Sequence, residues 1–462
     1  MLKFFAHPEQ DFPDCLSDES KQRGTARCIC FPETEEDVRE AVRYAVAEGL
    51  SITVQGGLTG ISGGAVPQDG LVVNLSRMTR IAGAGYDEAT QRYTLLVQPG
   101  VLLEEVERAL HSLDFDTEDW SGESRAVLER MRGDRRQFFS PDPTERSASV
   151  GGMVATNASG ARSFWYGSIR SYVRALHVVC GAGLLVLKRG QQRVEGGWFC
   201  VETVGGEQVT GRLPEVHQPR VNKTAAGYYV RQDMDLVDLF VGAEGTLGIV
   251  TQIEIELLPE PEVVWGVLAF LPGEEAALDF VSEVRGEGGT GSQRPAAIEF
   301  FDAGALELLR QQRAAGNFAE LPELDESCHT AVYTEYHGDC EDAACGAVMA
   351  MCEVLEACGG SADDAWVADT PHERERLRLF RHAVPESVNA IIAERKKSYP
   401  DLTKLGTDMA VPDERLKAVF AMYRADLAAA GLEHLIFGHV GNNHVHVNIL
   451  PRSPDEYVLG KE

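Results

Sequence analysis

Between residues 34 and 46 the apolar positions Val38, Ala41, Val42, Ala45 and Val46 recur at helical spacing, and Thr34 to Asp37 has the spacing of a capping box. Gly49 ends that helix, and residues 52–54 predict a short buried strand. A further strand is predicted at 71–75, and 175–179 with 184–187 predicts a hairpin turned at Gly181-Ala-Gly183. From 249 to 257, Thr251, Ile253, Ile255 and Leu257 alternate with Gln252, Glu254 and Glu256, the pattern of a strand with one buried face. Pro259-Glu-Pro261 then breaks the chain, so a domain boundary is placed there, giving units 1–261 and 262–462. Beyond it strands (263–270, 296–301, 330–336) alternate with helices (275–284, 343–357), which suits an antiparallel sheet covered on one face by helices. Residues 286–291 and 317–327 read as loops, and no internal repeat is visible.

Composition narrows the function classes. The chain has 462 residues, 43 basic against 72 acidic, and a net charge of −29. That balance excludes a protein that lives on phosphate backbones, so no nucleic-acid partner is expected. A small anion needs only one or two local cations and stays allowed. A hydrophobic share of 44% with 25% charged residues is ordinary for a chain with a sizeable core. The N-terminus lacks an apolar segment with a small-residue cleavage site, and the best apolar run, 172–187, is interrupted by Arg174, His177 and two glycines. No secretion and no transmembrane segment are therefore expected. The ten cysteines form no C-x-x-C pair, which argues against a zinc ribbon or an iron–sulfur run and for reduced thiols in a cytoplasmic setting.

Three glycine clusters lie in the first half. The first is Gln55-Gly-Gly-Leu-Thr-Gly-Ile-Ser-Gly-Gly-Ala-Val-Pro67, and a strand, not a helix, follows it. A dinucleotide fingerprint of the Rossmann type opens a helix, so this loop is of another kind and must hold an anion with backbone N–H groups. The second runs from Ser149 to Gly160, and the third is Val241-Gly-Ala-Glu-Gly-Thr-Leu-Gly-Ile249. One such cluster is weak evidence, because glycines more often serve turns. Three of them suit a large cofactor with a pyrophosphate and a planar ring, which needs close backbone approach at several points.

Near the C-terminus the segment Phe437-Gly-His-Val-Gly-Asn-Asn-His-Val-His-Val-Asn-Ile-Leu450 is the most informative. On a strand, His444, His446 and Asn448 face one way, and Val445, Val447 and Ile449 the other. With His439 on the adjoining loop, converging imidazoles suit a transition metal acting as a Lewis acid; the plain alternative is a histidine-lined strand satisfied by water. Arg381 and Lys404 each could bind a substrate carboxylate, although for a lone Arg or Lys a solvated surface charge is the simpler reading.

Together these segments resemble the vanillyl-alcohol oxidase/para-cresol methylhydroxylase flavoprotein superfamily. The nearest branch holds D-lactate dehydrogenases, D-2-hydroxyglutarate dehydrogenase and the flavin subunit of glycolate oxidase. The ordered series that carries the resemblance includes Asp18 to Gly24, Gln55 to Pro67, Ser140-Pro-Asp-Pro143, Ser149 to Gly160, Asn222 to Tyr228, Val241 to Thr251, Arg381 to Asn389, Thr407 to Pro412 and His439 to Asn448. It implies an α+β fold: a two-subdomain FAD-binding domain of the para-cresol methylhydroxylase type and a ferredoxin-like cap. It implies FAD held by Gly56, Gly57, Leu58, Thr59, Gly60, Ser62 and Gly63, by Pro141, Asp142, Ser149, Gly151, Gly152, Asn157 and Gly160, and by Gly248 and Ile249. On the cap it implies His439 and His446 as ligands of a divalent metal, zinc or manganese by type, and Arg381, Lys404 and Asn448 as substrate contacts. The implied reaction is oxidation of a small anionic D-2-hydroxy acid to a 2-oxo acid, with electrons leaving to an unidentified acceptor. A homodimer and peripheral membrane association through that acceptor are compatible with the resemblance.

Two departures stand out. Asn442-Asn443-His444 replaces the usual acidic-glycine-asparagine run, so His444 is a candidate third ligand or substrate contact. Relatives also continue to a Glu-His-Gly motif that supplies a further metal ligand and the base; this sequence ends at Glu462 without it, and truncation is the favoured expectation. The catalytic base is therefore unassigned. The rival readings are a sugar- or lactone-oxidising flavoenzyme of the same superfamily, a flavin-carrying electron-transfer subunit, and a zinc hydrolase, which leaves the glycine clusters unexplained.

Overall fold

The computed structural model describes residues 2–217, 220–286 and 294–462. The loop expected at 286–291 falls, beyond Gly286, outside the described residues. The chain packs as two compact units. One comprises Met1–Gly160, Gly167–Gln218 and Ala225–Glu260, the other Ala161–Tyr166, Pro219–Thr224 and Pro261–Glu462.

In the first unit, strands β1 (Phe5–Ala6), β2 (Cys28–Cys30), β3 (Ile52–Gln55) and β4 (Leu71–Asn74) form a sheet of order β1-β2-β4-β3. Helix α1 (Glu35–Glu48) begins as its pattern predicts: Thr34 Oγ1 accepts from the Asp37 amide at 3.2 Å, and the Asp37 carboxylate accepts from the Thr34 amide at 3.0 Å. Gly49 closes it at φ 63°. A second, antiparallel sheet contains β5 (Ile81–Asp87), β6 (Arg92–Val97), β7 (Val173–Cys180), β8 (Gly183–Lys188) and β9 (Ile249–Glu256), in the order β5-β6-β9-β7-β8. Val38, Ala41 and Ala45 of α1 join Leu71, Val73, Val179, Leu184 and Ile249 in one core. Between β6 and β7 in sequence lies helix α2 (Val150–Thr156), which the periodicity did not predict.

The second unit is built on a seven-stranded antiparallel sheet. Its strands are β10 (Val263–Leu271), β11 (Ala297–Phe301), β12 (Thr330–Gly338), β13 (Trp366–Ala368), β14 (Leu405–Gly406), β15 (His434–His439) and β16 (His444–Ile449), in the order β13-β10-β12-β11-β15-β16-β14. Helices α3 (Glu274–Arg285), α5 (Glu341–Ala357) and α7 (Leu416–Ala430) pack on one face through Phe280, Met351 and Phe420, against Val267, Phe300, Val332 and Val447. Helices α4 (Ala303–Ala314) and α6 (Pro371–Lys396) pack on the other through Leu306, Leu309, Phe380 and Val384, against Leu268, Phe301 and Ala331. Helices thus cover both faces, not one as expected. The reason is legible in β10, where residues 266–271 are all buried: a strand sandwiched on both sides carries a continuous apolar run instead of an alternation.

Candidate functional site

The three glycine clusters meet in the first unit. Gln55, fully buried, anchors the first: its Nε2 donates to the Cys15 and Ala65 carbonyls at 2.7 and 2.8 Å, and its Oε1 accepts from Asn74 at 3.1 Å. The loop it closes has left-handed residues at Leu58 (φ 58°) and Gly63 (φ 79°). Ser149 joins this loop to the second cluster. Its hydroxyl caps α2 by accepting from the Gly152 amide at 3.2 Å and also accepts from the Gly57 amide at 3.1 Å. The third cluster closes on α2 through the Gly242 and Glu244 amides, which donate to Val154 and Ala155 carbonyls at 2.8 and 2.9 Å.

The spacing explains the glycines. A Cβ on Gly56 would stand 2.3 Å from Ser149 Oγ, and one on Gly160 would stand 1.9 Å from the Asp142 carbonyl oxygen. Gly60, by contrast, has nothing within 4 Å of a Cβ position. The amide N–H groups of residues 58–63 find no acceptor among the described residues. A row of unengaged donors in a left-handed turn is what a diphosphate requires, so this cradle fits FAD. Pro141 is buried, and Asn157 ends α2 at φ 50°, its side-chain oxygen accepting from Ser168 at 2.8 Å. Ile249 is a core side chain of β9, paired with Val179, which leaves only its backbone to face a ligand.

In the second unit the sheet face that packs α4 and α6 becomes polar toward the histidine hairpin. Glu299 of β11 lies opposite Tyr333 of β12 and is buried. Its carboxylate accepts from Arg381 Nε of α6, and its Oε1 stands 3.0 Å from His439 Nδ1. Burial alone would raise the Glu299 carboxyl; Arg381, then His439, outweigh it and hold the pKa at about 2. The Arg381 guanidinium lies over the Tyr333 ring at 4.7 Å, and its two terminal nitrogens have no hydrogen-bond partner among the described residues. Beside it Glu335 accepts from Tyr333 Oη at 2.7 Å, Arg162 Nε at 2.7 Å and His337 Nε2 at 2.8 Å.

The hairpin β15–β16 places His439 opposite His444 and Phe437 opposite His446. Gly438 (φ 122°) is needed there, since a Cβ would meet the His446 ring at 2.6 Å. Ring centroids are 4.8 Å apart for His444–His446, 5.5 Å for His439–His446 and 6.1 Å for His439–His444. Asp408 stands with them: its Oδ1 is 2.6 Å from His444 Nε2 and 3.5 Å from His446 Nδ1. Burial, followed by Lys223 for His439 and by the neighbouring histidines for His446, lowers both imidazole pKa values, so both are lone-pair donors.

Of the substrate residues expected from sequence, Arg381 reaches this polar end. Asn448 lies on the same strand face, its Nδ2 donating to the His446 carbonyl at 3.2 Å. Lys404 does not join them. Gly406 pairs with Asn448, so the register sets Lys404 toward the far end of β16 and brings Asp408 to the histidines. Glu299, Glu335, Asp408 and Lys223 were not singled out from sequence. Glu299 and Glu335 carry a usable signal, each being a lone carboxylate inside an apolar strand run.

No helix among the described residues is long and apolar enough to cross a membrane. Comparison with known proteins matches residues 26–127 and 118–187 to the FAD binding domain family and residues 260–459 to the C-terminal domain of FAD linked oxidases. A D-lactate dehydrogenase of Archaeoglobus fulgidus is 24% identical over 421 residues, covering 90% of this chain and 74% of that protein. A D-2-hydroxyglutarate dehydrogenase of Xanthomonas citri pv. viticola is 28% identical over 425 residues, covering 91% of this chain and 72% of that protein. Among solved structures, an alkyldihydroxyacetonephosphate synthase aligns with TM-score 0.60 at 14% identity, covering 94% of this chain and 73% of that one. A xylooligosaccharide oxidase from Myceliophthora thermophila C1 aligns with TM-score 0.55 at 15% identity, covering 100% and 84%. These two likenesses establish the shared fold, that of the FAD oxidases of para-cresol methylhydroxylase type expected from the sequence. With an FAD-binding domain in the first half and an oxidase C-terminal domain in the second, the chain belongs to the FAD-linked oxidase family and is an FAD-dependent oxidoreductase.

Proposed function

We propose that the chain oxidises a small anionic D-2-hydroxy acid to the 2-oxo acid. The observation that carries this reading is Arg381: a partly buried guanidinium, fixed through Nε by the same Glu299 carboxylate that stands against His439, with both terminal nitrogens unengaged among the described residues. That fork suits a carboxylate, which neutral sugars lack. The dehydrogenases of D-lactate and D-2-hydroxyglutarate among the relatives support the same substrate class.

In this reading residues 1–261 hold the flavin, through Gly56–Gly60, Ser62, Gly63, Pro141, Asp142, Ser149, Gly151, Gly152, Asn157, Gly160 and the backbone at Gly248 and Ile249. Residues 262–462 hold the substrate. Arg381 grips the carboxylate, Asn448 offers an amide on the same face, and the cluster containing His439 and His446 holds a divalent cation of the zinc or manganese type. Bound FAD supplies the hydride acceptor and the cation supplies Lewis acidity toward the substrate hydroxyl. The protein's own part is orientation, and a misplacement of about 1 Å is costly in rate. Reoxidation requires a separate electron acceptor.

The test is anaerobic addition of D-lactate, D-2-hydroxyglutarate or glycolate to the FAD-loaded protein. Loss of the oxidised-flavin absorbance with one of them is expected, and for the two chiral acids none with the L enantiomer. An unchanged spectrum with all three favours a flavin carrier over an enzyme of this class.

A further inference from the structure

The turn that joins β15 to β16 runs from Val440 to Asn443, with His439 entering it and His444 leaving it. Its two ends are tied to a single ion pair. The Val440 carbonyl closes the turn by accepting from the Asn443 amide at 2.9 Å, and it also accepts from Nη2 of Arg285, the last residue of α3. The Asn443 side-chain amide donates to Asp413 Oδ1, and Arg285 Nη1 donates to the same oxygen at 3.2 Å. Asn222 adds a long third bond to it at 3.4 Å. Resting on the functional reading above, we propose that the Arg285–Asp413 pair is a positioning element of the active site, holding both ends of this turn and so fixing the His439 and His444 rings relative to each other.

Three observations carry this. First, the turn needs outside support. Asn443 sits at φ 53°, a left-handed conformation that few residues other than glycine adopt, and its side-chain oxygen is buried without a partner among the described residues. Second, the middle of the turn is held as well: a Cβ on Gly441 would stand 3.0 Å from the Phe164 ring. Contact at the centre and bonds at both ends leave the turn one arrangement, in which the two imidazole centroids lie 6.1 Å apart. Third, Arg285 is costly where it stands. Its side chain is 11% exposed, its Nε is buried without a partner, and burial pushes its pKa down to about 10 in spite of Asp413. A buried charge kept in that condition serves geometry better than it serves stability.

The plain alternative is that Arg285 is a last-turn cation serving the C-terminal end of α3, with Asp413 as its surface counter-charge. It explains the charge but not the reach. Both terminal nitrogens bond groups far along the chain, at Asp413 and Val440, and among the described residues neither bonds a carbonyl of α3.

The experiment compares the FAD-loaded protein with its Arg285→Met, Asp413→Ala and double variants. Methionine keeps much of the arginine stem without the charge, so Arg285→Met should unfold in urea at or above the parent midpoint. In anaerobic stopped flow with the hydroxy acid that reduces the parent flavin, the limiting rate per bound flavin should fall at least about tenfold in each single variant, since a shift of about 1 Å costs up to about 100-fold. The half-saturating substrate concentration should change less than about threefold, because Arg381 is untouched. The double variant should be no slower than the slower single one, the pair acting as one element. Without substrate, amide hydrogen exchange over 439–444 should quicken at least about tenfold, the effect of losing a charge-assisted hydrogen bond, while that over 330–338 stays as in the parent. Parent-like rates in both single variants, a change confined to the half-saturating concentration, or parent-like exchange in the turn overturns the proposal. If no hydroxy acid reduces the parent flavin, the functional reading fails on its own, and the exchange measurement alone decides whether the pair holds the turn. The Asp413 side chain is 58% exposed, so Asp413→Ala decides the matter even where Arg285→Met fails to fold.

Discussion

The flavin cradle makes a quantitative prediction at Ser149. Its hydroxyl accepts two backbone amides, Gly57 at 3.1 Å and Gly152 at 3.2 Å, and so both caps α2 and pins the first glycine loop. In Ser149→Ala the cap costs about 1 kcal/mol and the lost Gly57 bond about 1 kcal/mol more. If the whole sum falls on the cradle, FAD affinity drops about 30-fold, at 1.4 kcal/mol per factor of ten. Gly56→Ala attacks the same point from the other side, because its Cβ would stand 2.3 Å from Ser149 Oγ. The hydroxyl cannot rotate away without dropping both amides, so this variant loses the same contacts and adds overpacking strain of about 1–3 kcal/mol. In the double variant the nearest remaining atoms are the residue 149 Cβ at 3.5 Å and the Gly152 amide nitrogen at 3.6 Å, ordinary contacts. Gly56→Ala/Ser149→Ala should therefore bind FAD about as well as Ser149→Ala alone, a strongly non-additive cycle. The assay is titration of FAD into the apoprotein of all four forms, followed by flavin fluorescence. An additive cycle, or Ser149→Ala within about threefold of the parent, refutes the reasoning.

Three other outcomes are expected. Glu335→Gln should destabilise the second unit by about 3 kcal/mol in urea unfolding, the lower end for a broken buried pair because Arg162 is partly exposed. Burial pushes the Glu335 carboxyl up, but Arg162 and His337 hold it well below its ordinary value; its stabilisation is then complete above the ordinary carboxylate range and lost only as pH falls below it. The parent–variant gap should stay constant from about pH 8 to about pH 6 and shrink in acid, and a gap that widens in acid contradicts this. Arg381→Lys keeps the charge but loses the fork, so KM for the hydroxy acid should rise about tenfold with a smaller change in kcat, and an unchanged KM removes Arg381 from the substrate site. Burial, then Cys28 and Asp37, pushes the Cys30 thiol up to about 12, whereas Cys200 and Cys340 are exposed; mass mapping after brief alkylation should find the last two modified and Cys30 intact.

How much of this was legible depended on the range of the interaction. The helix at Thr34 was readable because its capping box spans three residues and its apolar stripe is local. The first glycine cluster was readable as a non-Rossmann loop because the strand at Leu71 follows it directly. Helix α2 was not, since seven residues containing two glycines show no period; Ser149 and the burial of Val150, Met153 and Val154 hold it. Asp408 is 36 residues before His444, and only the pairing of β14 with β16, extended by an Ala410–His444 bridge, brings the two together. That register could not be inferred from the local pattern, which is why Asp408 was not expected beside the histidines. Helix α6 was hidden by its charge, which masks an apolar stripe, and by Pro385 inside it.

The polar end of the second unit separates into two parts with different physical roles. Glu299 and Glu335 are buried carboxylates whose partners, Arg381 and Arg162 with His337, are all supplied by the chain. Matched charges of this kind fix geometry and are costly to break, and what they keep for a ligand is the pair of Arg381 terminal nitrogens. The hairpin from His439 to His444 is the reverse: its buried polar atoms are unsatisfied, and Asp408 faces solvent. Unsatisfied groups at a rigid edge are the ones that can gain from a bound ion or substrate. Substitutions of the matched carboxylates Glu299 and Glu335 should therefore act first on stability. Those at Asp408 and His444 should act first on binding, with the unfolding midpoint of the metal-free protein left near that of the parent. A large loss of metal-free stability in Asp408→Asn would place Asp408 with the scaffold instead, because an exposed carboxylate has little folded-state energy to lose.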